Sequence, residues 1–286
     1  MKNYFLIIII ALYFCACNSD DNSPPFKYFS KSYIEIFIDC SKMNDKKLRI
    51  QPDVGLKIDT ENRIISYDVF SKFSEPYSIN DDIWLFIEAR SSLTMNKDNS
   101  LYWAVPQIGS SGFLLSSGDD PNDDFYLERQ RGYDKYIAMI GDTTFNWPGA
   151  TMSSITIVTP VSEIVITCDK DYTDNYPAGN NISNLFTVFF YDNYATIKNG
   201  YKPVNGSYRY EIKEDDGIYR SSNFPFSIIS ANLASIDFSS FPFISNTWQC
   251  HLDVPPDKSD SYTFYIKVIF TDGTVLEGKT SVNIRV

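Results

Sequence analysis

The sequence predicts an all-β protein with two β-sandwich-like (immunoglobulin-like) lobes, a C-terminal hairpin and few or no long helices. Three observations carry this. Aromatic and β-branched residues abound, with 20 Tyr and 21 Phe in 286 residues, and such residues favour the pleated sheet. Apolar residues recur with period two or in short unbroken runs. No amphipathic helix of ten or more residues stands out.

Taken in order, Tyr33–Asp39 alternates, with Ile34, Ile36 and Ile38 on one face, the mark of a half-buried strand. Val54–Ile58 and Arg63–Phe70 flank the polar turn Asp59-Thr-Glu-Asn62 and read as a hairpin. Ile83–Ile87 is a continuous apolar run of strand length, covered on both faces. Leu101–Val105 and Tyr136–Ile140 read as shorter strands of the same kind, with a long polar loop, 109–132, between them. Pro and Gly cluster at Trp147-Pro148-Gly149, which places a domain boundary near residue 150.

The second half continues with strands at Ile155–Val158, Ile164–Cys168, Leu185–Tyr191, Ser207–Lys213, Phe226–Ser230 and Trp248–Val254. Short helices are expected at Ile182–Phe186 or Asn232–Phe238. Tyr262–Phe270 and Val275–Val286 are joined by Thr271-Asp272-Gly273-Thr274. Asp-Gly between two β-rich runs favours a type I′ turn, with positive φ at both central residues. The expected organisation is a leader at 1–16, an acidic, Pro-containing tether at 17–27, a β-rich domain at 28–150 and a β-sandwich-like domain at 151–286.

The leader, MKNYFLIIIIALYFCAC, has Lys2 ahead of an uncharged apolar run from Phe5 to Ala16. The run is shorter than the roughly 20 residues a spanning helix needs and lies where a signal peptide's apolar core lies. Phe14-Cys15-Ala16-Cys17 resembles the lipobox of bacterial lipoproteins. In that family a small residue precedes the lipidated cysteine, so the resemblance implies lipid on Cys17 with Ala16 before it. Phe14 stands where the family usually has leucine. Asp20 and Asp21 resemble the acidic surface-export signal of Bacteroidota lipoproteins, which implies the outer face of the outer membrane. The second half resembles uncharacterised surface lipoproteins of that group, which contain a domain of unknown function. The residues that carry this are Asp169-Lys-Asp-Tyr172, Tyr176-Pro-Ala-Gly179, Leu185-Phe186, Ile197-Lys-Asn-Gly-Tyr201 and Thr271-Asp-Gly-Thr274. It implies an address and a β-rich fold, and no catalytic residue.

Charge narrows the partners. The chain carries 25 Lys+Arg against 36 Asp+Glu, a net −11, and losing Lys2 with the leader makes it −12. Such a balance repels phosphate backbones, so no nucleic-acid partner is expected. The expected partners are a membrane, reached through the N-terminal lipid, and a glycan or an outer-membrane protein.

Chemistry-bearing residues are sparse. His251 is the only histidine. No GxSxG accompanies it, so it reads as an exposed or hydrogen-bonded strand residue, and no catalytic residue and no cofactor are assigned. Asp169, Asp171 and Asp174 crowd one loop, and Asp119, Asp120, Asp123 and Asp124 another. Either is a calcium candidate, the first the stronger, because calcium takes six to eight oxygens. Neither has EF-hand spacing, and solvated charge is the alternative. Cys40, Cys168 and Cys250 remain after the leader, and Cys168–Cys250 is the candidate disulfide, the alternative being three buried thiols. Trp84, Trp103, Trp147 and Trp248 could stack on sugars. Trp147, beside a proline, is the candidate ligand-binding residue, and Trp84 reads as core. The function expected is a lipid-anchored, surface-exposed outer-membrane protein with a binding or structural role, accessory to glycan capture. The alternatives are a polysaccharide hydrolase using an acidic pair and an adhesin or pilus-like subunit.

Overall fold

The computed structural model describes residues 34–43, 46–53, 56–59, 61–68, 76–78, 82–89, 102–104, 135–142, 154–202, 209–213, 219–221 and 227–286. Cys17, the loop at 119–124 and Trp147 lie outside them. The described residues are all-β, with two short helices. In chain order the strands are β1 (Ile34–Ile38), β2 (Leu48–Asp53), β3 (Leu56–Asp59), β4 (Ile64–Asp68), β5 (Tyr77–Ser78), β6 (Trp84–Ala89) and β7 (Tyr102–Ala104). There follow β8 (Ser154–Ile157), β9 (Val161–Cys168), β10 (Phe186–Tyr191), β11 (Arg209–Lys213), β12 (Tyr219–Ser221) and β13 (Ile228–Asn232). The series ends with β14 (Ile244–Ser245), β15 (Thr247–Leu252), β16 (Asp260–Phe270) and β17 (Val275–Arg285). The helices are α1 (135–140) and α2 (Asn193–Lys198).

Four sheets form. Sheet I runs β5-β17-β16-β9, sheet II β13-β10-β15-β6-β2, sheet III β12-β11-β4-β3 and sheet IV β14-β8-β1-β7. Sheets I and II enclose the main core. The period-two pattern of β16 buries Tyr262, Phe264, Ile266, Val268 and Phe270. Facing them, β6 buries Leu85 and Ile87, β10 buries Phe186, Val188 and Phe190, and β15 buries Trp248, Cys250 and Leu252, all in one cluster. Phe186 and Phe264 meet edge to face at 6.0 Å across the layers. Each fully buried large side chain contributes about 1.5–3 kcal/mol relative to exposure, so this cluster dominates the stability. A second cluster packs α1 and α2 on sheet IV through Ile34, Phe37, Ile137, Ile140, Ile197 and Phe243.

The boundary expected near 150 does not divide the fold. Each of the four sheets takes strands from both sides of it. Parallel pairs stitch the halves: β1 with β8, β4 with β11 and β17 with β5. Periodicity reports which face of a strand is buried, not its partner, so the interleaving left no mark in the sequence. Sheets I and II also meet where β2 crosses β17. There a Cβ on Gly278 would lie 2.7 Å from Ile50 Cδ1 and 2.9 Å from the Leu48 carbonyl oxygen. Only glycine fits that crossing undistorted.

Several local readings change. Residues 136–140 are helical, not extended: Ile137 and Ile140 are buried three apart, and Gly141 closes the helix at φ 70° with its N–H donating to the Ile137 carbonyl. The segment expected as a helix at 232–238 holds the end of β13 and a turn, and a short 3-10 turn follows at Phe238–Ser240. The Phe270 N–H donates to the Thr274 carbonyl, so the β16–β17 turn closes around three residues, 271–273, rather than two. Gly273 N–H donates to the Phe270 carbonyl, and of the loop residues Gly273 alone has positive φ, 84°. That is a type I turn followed by a left-handed glycine. By contrast, the β3–β4 hairpin forms where expected, and Asp59 accepts from the Asn62 N–H at 2.8 Å.

Candidate functional site

β15 presents Trp248, Cys250 and Leu252 to the core and turns Gln249 and His251 outward. On that outer face His251 lies opposite Trp84 of β6 and Thr187 of β10. Asp253, two residues on, stays on the same side as β15 ends, and Asp82 stands just before β6. The fold thus gathers His251, Asp82, Asp253 and Thr187 from three neighbouring strands.

The geometry is ordered. His251 Nδ1 is 2.8 Å from Asp253 Oδ1, and the Thr187 hydroxyl donates to Asp253 Oδ2 at 2.7 Å. A carboxylate only accepts, so Nδ1 carries the proton that Asp253 holds. Nε2 faces Asp82 Oδ1 at 3.6 Å. The Trp84 ring forms the floor, 4.9 Å from the imidazole and 5.3 Å from Phe189. His251 is 25% exposed and Asp82 50%, so the cluster opens to solvent.

Chemically this is an imidazole with a carboxylate toward each nitrogen. The Thr187 hydroxyl is turned to Asp253 rather than to His251, so among the described residues it does not make the hydroxyl–imidazole contact that nucleophile activation requires. Trp84 is 1% exposed and Trp248 0%, so neither offers a ring face for stacking. Of Trp103, only its place in β7 is described. A small apolar cavity of about 10 Å³ lies nearby, where Ile65 of sheet III covers Phe189, Tyr191 and Ile228. It is at the limit of what holds one water. Burial there pushes the Tyr191 phenol up to about 12.

The expected calcium loop is corrected. Asp169 Oδ1 accepts from the Thr263 N–H at 2.8 Å, and Asp171 Oδ1 accepts from the Ala178 N–H at 2.9 Å. Asp174 gives its own N–H to Asp257 at 3.0 Å. The Asp169 and Asp171 carboxylates serve different backbone partners, and among the described residues no three His, Cys, Asp or Glu side chains come together to hold a metal. Partial burial opposes ionisation of Asp169, yet the hydrogen bonds from Thr263 outweigh it and bring its carboxyl below the usual range. Tyr172 anchors this loop: its ring is buried against Tyr262 at 5.5 Å and its hydroxyl donates to the Val254 carbonyl at 2.9 Å.

The expected disulfide is also corrected. Cys168 in sheet I and Cys250 in sheet II are free, buried thiols, as is Cys40. Each packs as a small apolar group. Burial pushes Cys168 up to about 11 and the other two well above the usual thiol range.

Neither a family model, nor a curated protein, nor a solved structure matches the chain.

Of the site residues, His251 was singled out in the sequence. Asp253 was readable, since i and i+2 share a strand face. Asp82 and Thr187 were not, because strand pairing brings them in.

Proposed function

We propose that the chain is a lipid-anchored outer-membrane protein of the cell surface with a binding or structural role, accessory to glycan capture, and not an enzyme. The address rests on the leader and Cys17. The observation that most supports a non-enzymatic role is His251 itself, the sole histidine, whose nitrogens face Asp253 and Asp82. A glycan would find a suitable surface on the solvent face of sheet I. There Tyr265 is 41% exposed, with the Lys279 ammonium 5.9 Å from its ring, the Lys267–Glu277 pair and the Thr263 and Ser281 hydroxyls beside it. An aromatic ring among such groups stacks on a sugar face while its neighbours bond the hydroxyls.

A glycan array, run beside a reducing-sugar release assay on the same polysaccharides, tests the reading. Binding without release, weakened by Tyr265→Ala, is the expected result. Release of reducing ends would replace this reading with a hydrolase, and silence on the array would leave a structural role alone.

A further inference from the structure

We propose that His251 and Asp82 form a site for a divalent transition-metal ion of the zinc type, with Asp253 as the positioning residue. The argument begins from the tautomer. Asp253 takes the Nδ1 proton at 2.8 Å and is itself held by the Thr187 hydroxyl at 2.7 Å. In the neutral imidazole this leaves Nε2 an acceptor with Asp82 Oδ1 as its neighbour, acceptor against acceptor. Their separation of 3.6 Å is too long for an N–H···O bond.

That gap has the dimension of a metal's coordination edge. Zinc binds imidazole nitrogen at about 2.0–2.1 Å and carboxylate oxygen at about 2.0–2.2 Å, and at the tetrahedral angle the two donors stand about 3.4 Å apart. The surroundings match a metal-bound histidine in a second respect. A metal-ligating histidine characteristically gives its other N–H to a carboxylate, which fixes the ring and raises its basicity. Asp253 and Thr187 supply that support, and the buried Trp84 floor blocks the imidazole on one side. Two carboxylates flank one imidazole, so a dication balances charge that a single proton leaves half met. Among the described residues no third protein ligand joins, and the remaining positions fall to solvent. The site is therefore open, and a ligand oxygen could take the vacant position.

The sole histidine makes the test specific. ¹⁵N-labelled full-length protein in detergent is titrated with Zn²⁺ and followed by imidazole long-range NMR, with Zn²⁺ affinity measured by calorimetry. The expected result is an Nδ1–H tautomer whose Nε2 resonance moves with Zn²⁺. Affinity should fall at least tenfold in His251→Ala and in Asp82→Asn, and about 10–100-fold in Asp253→Asn, which should also mix the tautomers. Circular dichroism checks that the variants are folded. An imidazole that stays doubly protonated at pH 7 and unmoved by millimolar Zn²⁺ would overturn the proposal, since a proton then fills the gap. Equal Zn²⁺ affinity in His251→Ala would overturn it as well.

Discussion

Gly278→Ala should destabilise the protein, and the amount follows from the β2–β17 crossing. An added methyl would sit 2.7 Å from Ile50 Cδ1, 2.9 Å from Leu48 O and 3.0 Å from Leu48 Cβ, against an ordinary carbon contact of about 3.5–4.0 Å. Ile50 Cδ1 ends a rotatable side chain and can swing away. The Leu48 carbonyl cannot, because β2 is held in register along β6 from Leu48↔Ala89 to Asp53↔Trp84. Overpacking of this kind costs about 1–3 kcal/mol. Alanine recovers about 0.5–1 kcal/mol because glycine is the poorer strand residue, leaving a net loss on the order of 1–2 kcal/mol. Urea unfolding at 25 °C should show a lower midpoint with an unchanged slope. Ile50→Val in the same background should recover only a minor part. A Gly278→Ala protein as stable as the parent would refute the reasoning, because it would mean the sheets do not approach as described.

Asp192 caps α2 by accepting from the Ala195 N–H at 2.9 Å. Burial raises its carboxyl pKa, the hydrogen bonds from Ala195 and Tyr194 only partly offsetting this. The folded state therefore binds the proton more readily than the unfolded one, and stability falls as pH rises from the unfolded value through the folded one. Asp192→Asn keeps the acceptor and should gain stability at pH 7 relative to pH 3.5, whereas Asp192→Ala should lose about 1 kcal/mol; equal effects in urea titrations would refute this. The thiols of Cys40, Cys168 and Cys250 should ignore Ellman's reagent at pH 8 in the folded protein and all react in urea, with no change in Tm on adding reductant. A reductant-sensitive Tm would restore the bridge. Cys17→Ala should abolish palmitate labelling and release the protein from membranes, and label persisting in the variant would remove the anchor.

The elements that were legible are those whose signal is local. β16 and β17 could be read because Asp272-Gly273 stands between two long β-rich runs, β16 burying every second residue from Tyr262 to Phe270, and β3–β4 because Asp59 and Asn62 build their own turn. The run 136–140 was not legible, since five apolar residues fit a strand or a helix equally and only the spacing of Ile137 and Ile140 against Gly141 separates them. α2 went unread although Asp192 and Gly200 bracket it, because its six residues lie against the end of a strong strand. β2 was hidden by Pro52, which is tolerated because β2 is an edge strand of sheet II. Non-local pairing hid the rest: which strands neighbour one another, and hence that Asp82 meets His251.

The interleaved sheets bear on how the chain folds as it is made. A nascent chain emerges in order, and sheet I cannot close until β17 arrives to sit between β5 and β16. Until then the edge of β16 that β17 will pair stays open, and long-range β pairing is slow and prone to aggregation. A nonsense codon anywhere upstream of residue 275 would therefore yield waste rather than a working fragment.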